Sequence, residues 1–144
     1  MLPKLKVLFL CTRNACRSQM AEAWTRHLKD HAIEAYSAGT EPTALDPLAV
    51  KVMAEAGVQL APQRAKHVDE VRGVQFDHVV TVCDRARESC PLFPAGTKAI
   101  HVGFDDPPEL ARYARTEEEC LAPYRRVRDE IRRFVELLPG ALQK

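Results

Sequence analysis

Residues 11–18 carry the densest chemistry in the chain: Cys11-Thr12-Arg13-Asn14-Ala15-Cys16-Arg17-Ser18. They follow an apolar run over residues 6–11 and precede a stretch in which Met20, Trp24 and Leu28 recur every fourth residue. A buried strand that passes into a helix through such a loop aims the helix's unpaired N–H groups and partial positive charge at whatever sits beyond the strand end. An anion is favoured there. Arg17 adds a planar fork that can hold two oxygens of one ligand. The same field favours ionised sulfur at Cys11, lowering a cysteine pKa from about 8.5 into the range of roughly 3.5–7.5. The expected arrangement is a thiolate facing a tetrahedral oxyanion cradled by Thr12, Arg13, Asn14, Ala15, Cys16 and Arg17. Ser18 can donate its hydroxyl to the thiolate or to a leaving sulfur, and Asn14 tolerates the left-handed backbone a cradle needs.

Two other segments have residue types that serve the same chemistry. In Asp105-Asp106-Pro107-Pro108 a carboxylic acid sits in a proline-stiffened loop at the carboxyl end of an apolar run, where it could protonate a departing oxygen. Cys83 ends another apolar run, so its thiol should open near Cys11, and Cys90 follows seven positions later. Were that stretch helical, the two sulfurs would lie about 10 Å apart, too far for a disulfide unless the segment unwinds. It is short, polar and bounded by Pro91 and Pro94, which suits low local stability. No metal is expected, because two cysteines without a Cys-x-x-Cys or histidine companion do not supply four tetrahedral ligands. Cys16 could trap Cys11 as an in-loop disulfide under peroxide, and Cys120 has no assigned role.

The elements that must position these residues alternate along the chain. Apolar runs at 6–11, 34–39, 78–82 and 98–102 read as strands. Helical spacing covers 18–31. A second helix begins at the Asp46 N-cap with Pro47 in its first turn and stops at Gly57. The last helix is amphipathic, with Leu121, Tyr124, Val127, Ile131, Phe134, Val135 and Leu138 on its apolar face, and it ends at Pro139-Gly140. Alternation of this kind implies an α/β fold with parallel strands, right-handed crossovers and helices on both faces. At 144 residues, with 46% hydrophobic and 28% charged, the chain fits one domain over its full length. A net charge of +1 supplies no basic field for nucleic acid. No apolar stretch approaches a membrane span, and residues 1–10 are too short and poorly flanked for a secretory signal. A cytoplasmic protein is expected, in a reducing compartment that leaves its five cysteines unpaired.

The run Cys11-Thr-Arg-Asn-Ala-Cys-Arg-Ser-Gln-Met-Ala-Glu-Ala, with Ser37-Ala38-Gly39-Thr40 after it, resembles the low-molecular-weight tyrosine phosphatase superfamily over nearly the whole chain. That resemblance implies a three-layer domain with a four-stranded parallel sheet in the order 2-1-3-4, and Asp106 as the general acid. Cys11, Cys83 and Cys90 resemble the three cysteines of the thioredoxin-coupled arsenate reductases, one branch of the superfamily. The implied catalytic set is Cys11, Arg17, Ser18, Cys83, Cys90 and Asp106. The implied reaction is arsenate reduction, with no bound cofactor and thioredoxin as electron donor. A phosphatase acting on phosphomonoesters would need Cys11, Arg17 and Asp106 but leave Cys83 and Cys90 without work. A non-enzymatic oxyanion-binding or redox-sensing module would make the acid loop superfluous. Arg13 stands where many members carry glycine, and Ala15 where they carry serine; Arg13 is expected to point outward. Some arsenate reductases bind potassium beside the loop. Asn14, Glu22 and Ser37 match three of their ligands, but Lys66, with Arg64 nearby, stands where the fourth would fall. Pairing of Lys66 with Glu22 is therefore expected to replace the ion.

Overall fold

The computed structural model describes residues 3–60, 63–83 and 93–143. Four strands form one parallel sheet in the order β2-β1-β3-β4: β1 (Leu5–Cys11), β2 (Ile33–Gly39), β3 (His78–Thr81) and β4 (Lys98–His101). β1 lies at the centre because it has no polar face to offer. Val7, Leu8, Phe9 and Leu10 are wholly buried, so both faces of the sheet are covered, as a parallel sheet requires. The edges read differently. β2 alternates at its start, with Glu34 exposed between Ile33 and Ala35, and β4 leaves Lys98 and Ala99 exposed. The run at 98–102 is thus a half-open edge strand, as the order 2-1-3-4 implies.

Helix α1 (Arg17–Lys29) returns from the end of β1 and packs on β1, β2 and the last helix, burying Met20, Ala21 and Trp24. Helix α2 (Pro47–Glu55) starts where Asp46 accepts a hydrogen bond from the Leu48 amide at 2.9 Å, with proline in its first turn. Gly57 follows it at φ 83°, a backbone only glycine adopts freely. A single turn, α3 (Pro107–Leu110), follows the acid loop. Helix α4 (Glu117–Glu136) is capped by Thr116, which accepts from the Glu119 amide at 3.1 Å, and it buries the stripe Leu121, Tyr124, Val127, Ile131 and Val135. Spacing of three or four residues keeps those side chains on one face. The predicted bounds of α1 and α2 differ from these by one or two residues, within the fraying expected at helix ends, whereas α4 starts at Glu117, four residues before the first member of its apolar stripe.

The carboxyl ends of β1 and β3 bring Cys11 and Cys83 to the same rim of the sheet, with Leu10 opposite Thr81 in register. At the opposite end, His78 is only 7% exposed. Burial holds its pKa below the ordinary 6.5, against a smaller upward pull from Asp77. A folded value below the unfolded one means that the neutral ring's contribution is present above pH 6.5 and is lost as pH falls through the folded value. Urea midpoints measured from neutral pH down to about pH 5 should therefore decline more steeply in the native chain than in His78→Leu. Equal slopes would remove His78 as the cause.

Candidate functional site

The loop between β1 and α1 owes its shape to a strap on its outer side. The carbonyls of Cys11, Thr12, Arg13 and Ala15 accept hydrogen bonds from the amides of Thr40, Glu41, Thr43 and Asp46, at 3.3, 2.8, 3.0 and 2.9 Å. A peptide unit whose carbonyl is held outward turns its N–H inward, so the strap orients loop amides toward the concave side. Cys16 caps α1 without a side-chain hydrogen bond, which leaves first-turn amides aimed at the same place. Gly39 makes the close approach possible: a Cβ there would lie 2.5 Å from the Thr12 carbonyl oxygen.

Under the loop lies a buried polar network. Asn14 adopts φ 52° and is fully buried. Its side-chain amide donates to Ser18 Oγ at 2.8 Å, and its Oδ1 accepts from Gln19 Nε2 and the Lys66 amide, each at 3.0 Å. Asn14 therefore pins the left-handed turn, and only its backbone amide remains for a ligand. Ser18 Oγ accepts from Asn14, which leaves its own hydroxyl proton available to donate. Gln19 ties the loop to the next segment by donating to Arg64 O at 2.9 Å and accepting from Gln63 at 2.7 Å.

Deeper still, the Glu22 carboxylate accepts from Ser37 Oγ at 2.6 Å and pairs with Arg26. The Lys66 ammonium is farther away at 4.0 Å, and burial lowers its pKa. The expected Lys66–Glu22 pairing is thus present at long range, while the nearer cation is Arg26, one helical turn along α1. No group of three or more His, Cys, Asp or Glu that could hold a metal occurs among the described residues.

On the concave side a cleft of about 550 Å³ opens over Cys11, Thr12, Arg13, Ala15, Cys16 and Arg17, and it is closed by Thr43–Pro47, Cys83, Asp106 and Pro108. Arg17 spans it: one guanidinium nitrogen donates to Phe104 O at 2.9 Å, and another lies 3.5 Å from Asp106 Oδ1. The fork is therefore partly engaged with the acid loop, and Asp106 is brought to the cleft. Asp105 instead pairs with Arg126 at 2.9 Å and is not among the residues lining the cleft. Asp46 also faces the cleft, its carboxylate held by the Tyr124 hydroxyl at 2.7 Å.

Cys83 lies beside Cys11, and its sulfur is 3.3 Å from Thr12 Oγ1. The hydrogen bond between the two thiols, followed by burial, raises the Cys11 pKa, while Arg17 and the Thr12 amide pull it down. Two adjacent sulfurs titrate as a pair: one thiolate can accept the other's S–H, and the second proton is hard to remove beside the first negative charge. Cys16 is buried and its pKa is raised, first by burial and then by Asp46. Cys90 lies outside the described residues, as does most of the segment joining it to Cys83.

A family model for the low molecular weight phosphotyrosine protein phosphatases matches residues 6–144. The chain belongs to that family. Among curated relatives, the arsenate reductase of Halalkalibacterium halodurans is 43% identical over 128 residues, which is 89% of this chain and 90% of the relative. Among solved structures, an arsenate reductase in the phosphate binding state has a TM-score of 0.72 at 26% identity, covering 95% of this chain and 98% of that one. The thioredoxin-dependent arsenate reductase of Corynebacterium glutamicum has a TM-score of 0.73 at 26% identity, covering 98% of this chain and 63% of that one.

Within this family framework, four residues of the site were not singled out by sequence reasoning in their structural roles: Gln19, Arg26, Gly39 and Tyr124. Asp46 was read only as a helix cap. Each acts across a contact that local pattern does not reveal, although Gly39 stood within the Ser37-Ala38-Gly39-Thr40 motif. Gly39→Ala should push the loop off its strap, weakening phosphate binding by roughly tenfold or more and costing about 1–3 kcal/mol of stability. Calorimetric titration and thermal melts check both; unchanged phosphate affinity would show that the strap does not shape the cradle.

Proposed function

We propose that this chain reduces arsenate to arsenite, using Cys11 as nucleophile and Cys83 and Cys90 as a relay that thioredoxin resets. The observation that carries the reading is the placement of the Cys11 and Cys83 sulfurs side by side in a cleft that Arg17 and Asp106 share. Arsenate bound by the loop amides and Arg17 takes the Cys11 thiol proton onto one of its oxygens. The resulting thiolate attacks arsenic, and the oxygen opposite leaves as water with a proton from Asp106, giving a cysteine S-arsenate. Cys83, as thiolate, then attacks the Cys11 sulfur. The S–As bond breaks with its electron pair going to arsenic, which leaves as arsenite while a Cys11–Cys83 disulfide forms. Cys90 attacks Cys83 and frees Cys11, and the Cys83–Cys90 disulfide is reduced by the thioredoxin dithiol. The relatives named arsenate reductase, and the thioredoxin-dependent one among the structures, support this reading.

A second reading, phosphomonoester hydrolysis through a Cys11 phosphocysteine, is favoured by the volume of the cleft. A tetrahedral anion would fill only the floor, and the space bounded by Leu45, Pro47 and Pro108 could receive the organic part of an ester. Cys90→Ser separates the two. With thioredoxin, its reductase and NADPH, arsenate-dependent NADPH oxidation should fall by at least roughly 10²-fold, while aryl phosphate hydrolysis stays within about twofold. Arsenate turnover that survives the change would end the relay. Asp106→Asn should lower both activities by roughly 10²–10⁴-fold.

No bound cofactor and no potassium are part of this proposal. Because Arg26 and Lys66 both face Glu22, turnover in potassium and in sodium salts at equal ionic strength should agree. Strong activation by potassium would count against it.

A further inference from the structure

Among the described residues, the charged side chains that line the cleft are Arg13, Arg17, Asp46 and Asp106. Arg17 faces Asp106 at 3.5 Å, and Arg13 is exposed at the rim. Asp46 is in a different position. Its Oδ1 accepts from the Leu48 amide at 2.9 Å and its Oδ2 from the Tyr124 hydroxyl at 2.7 Å. Both donors are neutral, and no cation forms an ion pair with Asp46 among the described residues. These bonds and the start of α2 fix the carboxylate but bring no full positive charge to it. The backbone is fixed as well, because the Asp46 amide donates to the Ala15 carbonyl at 2.9 Å, one hydrogen bond from the cradle. The negative charge reaches the floor, where it helps to raise the Cys16 pKa. A bare oxyanion gains nothing from such a neighbour, which opposes its own charge. An organic substituent that carries positive charge would gain, and Leu45, Pro47 and Pro108 offer its carbon chain an apolar wall beside the carboxylate.

We propose that Asp46 is a specificity-determining residue, selecting phosphomonoesters whose organic part carries an ammonium group a few bonds from phosphorus. This deepens, and rests on, the second reading above, in which the cleft receives an ester. The phosphoryl oxygens take the floor, the carbon linker crosses the apolar wall, and the ammonium pairs with Asp46. Each carboxylate oxygen can accept two hydrogen bonds, so Leu48 and Tyr124 leave room for it. The same charge turns away an ester that carries an additional carboxylate. Selection thus has an attractive and a repulsive part. Arsenate, which has no substituent, is outside its reach.

The test reads binding rather than turnover and uses the full, reduced chain with three phosphonates of similar length: propylphosphonate, aminoethylphosphonate and phosphonopropionate. Calorimetric titration at about pH 9 keeps every phosphonate fully ionised and the ammonium still charged. Aminoethylphosphonate should bind roughly three- to tenfold more tightly than propylphosphonate, and phosphonopropionate more weakly by a similar factor. In Asp46→Asn the preference for the ammonium should shrink to within about twofold. The ratio compares two ligands on one variant, so any general weakening of the cradle cancels. Equal binding of the amino and propyl compounds to the native chain overturns the proposal and leaves the ester reading standing. A preference that survives Asp46→Asn does the same. Phosphate binding without binding of any phosphonate removes the ester reading and the proposal together. If Asp46→Asn does not fold, ionic strength decides on the native chain: the preference should fall as salt is added, and one indifferent to salt overturns the proposal.

Discussion

The site depends on a constraint applied from outside it: the carbonyls of the loop are taken up by the strap, and its amides have no choice but to turn inward. Without the strap the segment between β1 and α1 would be an ordinary strand-to-helix turn with one arginine. With it, backbone dipoles converge on a point just beyond Cys11. The geometry is secured from below as well, by Asn14 in its left-handed conformation and by Gln19 bridging to residues 63 and 64. Every polar member of that floor named above is bonded, which is what allows so much polarity to be buried beneath a cleft.

The sheet then determines which sulfurs meet. Parallel pairing of β1 with β3 delivers Cys11 and Cys83 to one rim, where each sulfur affects the other's ionisation. Positive charge from Arg17 and the loop amides favours an anion, while burial and the second thiol oppose a bare thiolate. The balance is resolved when a proton finds another home. In the proposed reaction a bound oxyanion offers one within the cleft.

Much of this was legible in the chain itself. The alternation of apolar runs and helical periods gave a parallel α/β sheet, because burial on both faces leaves continuous apolar strands whose lengths differ visibly from helices. The loop was legible because its residue types are informative one by one. The charge state of Cys11 was not, since it depends on a neighbour 72 positions away. Arg26 escaped notice for a different reason: an arginine in the outward part of an amphipathic helix looks solvated until the buried glutamate one turn earlier is seen. Asp46 carried a local explanation sufficient in itself, which concealed its second task of joining the loop to α4 through Tyr124.

Arg17 lies between the cradle and the loop of Asp106, bonded to the Phe104 carbonyl and facing the Asp106 carboxylate. The cleft thus carries a counter-ion of its own for the guanidinium, and a ligand needs more negative charge than one carboxylate to displace it. Dianions can compete for the guanidinium on better terms than chloride or a lone carboxylate. Discrimination among the crowd of small anions in a cell thereby begins before any bond is made.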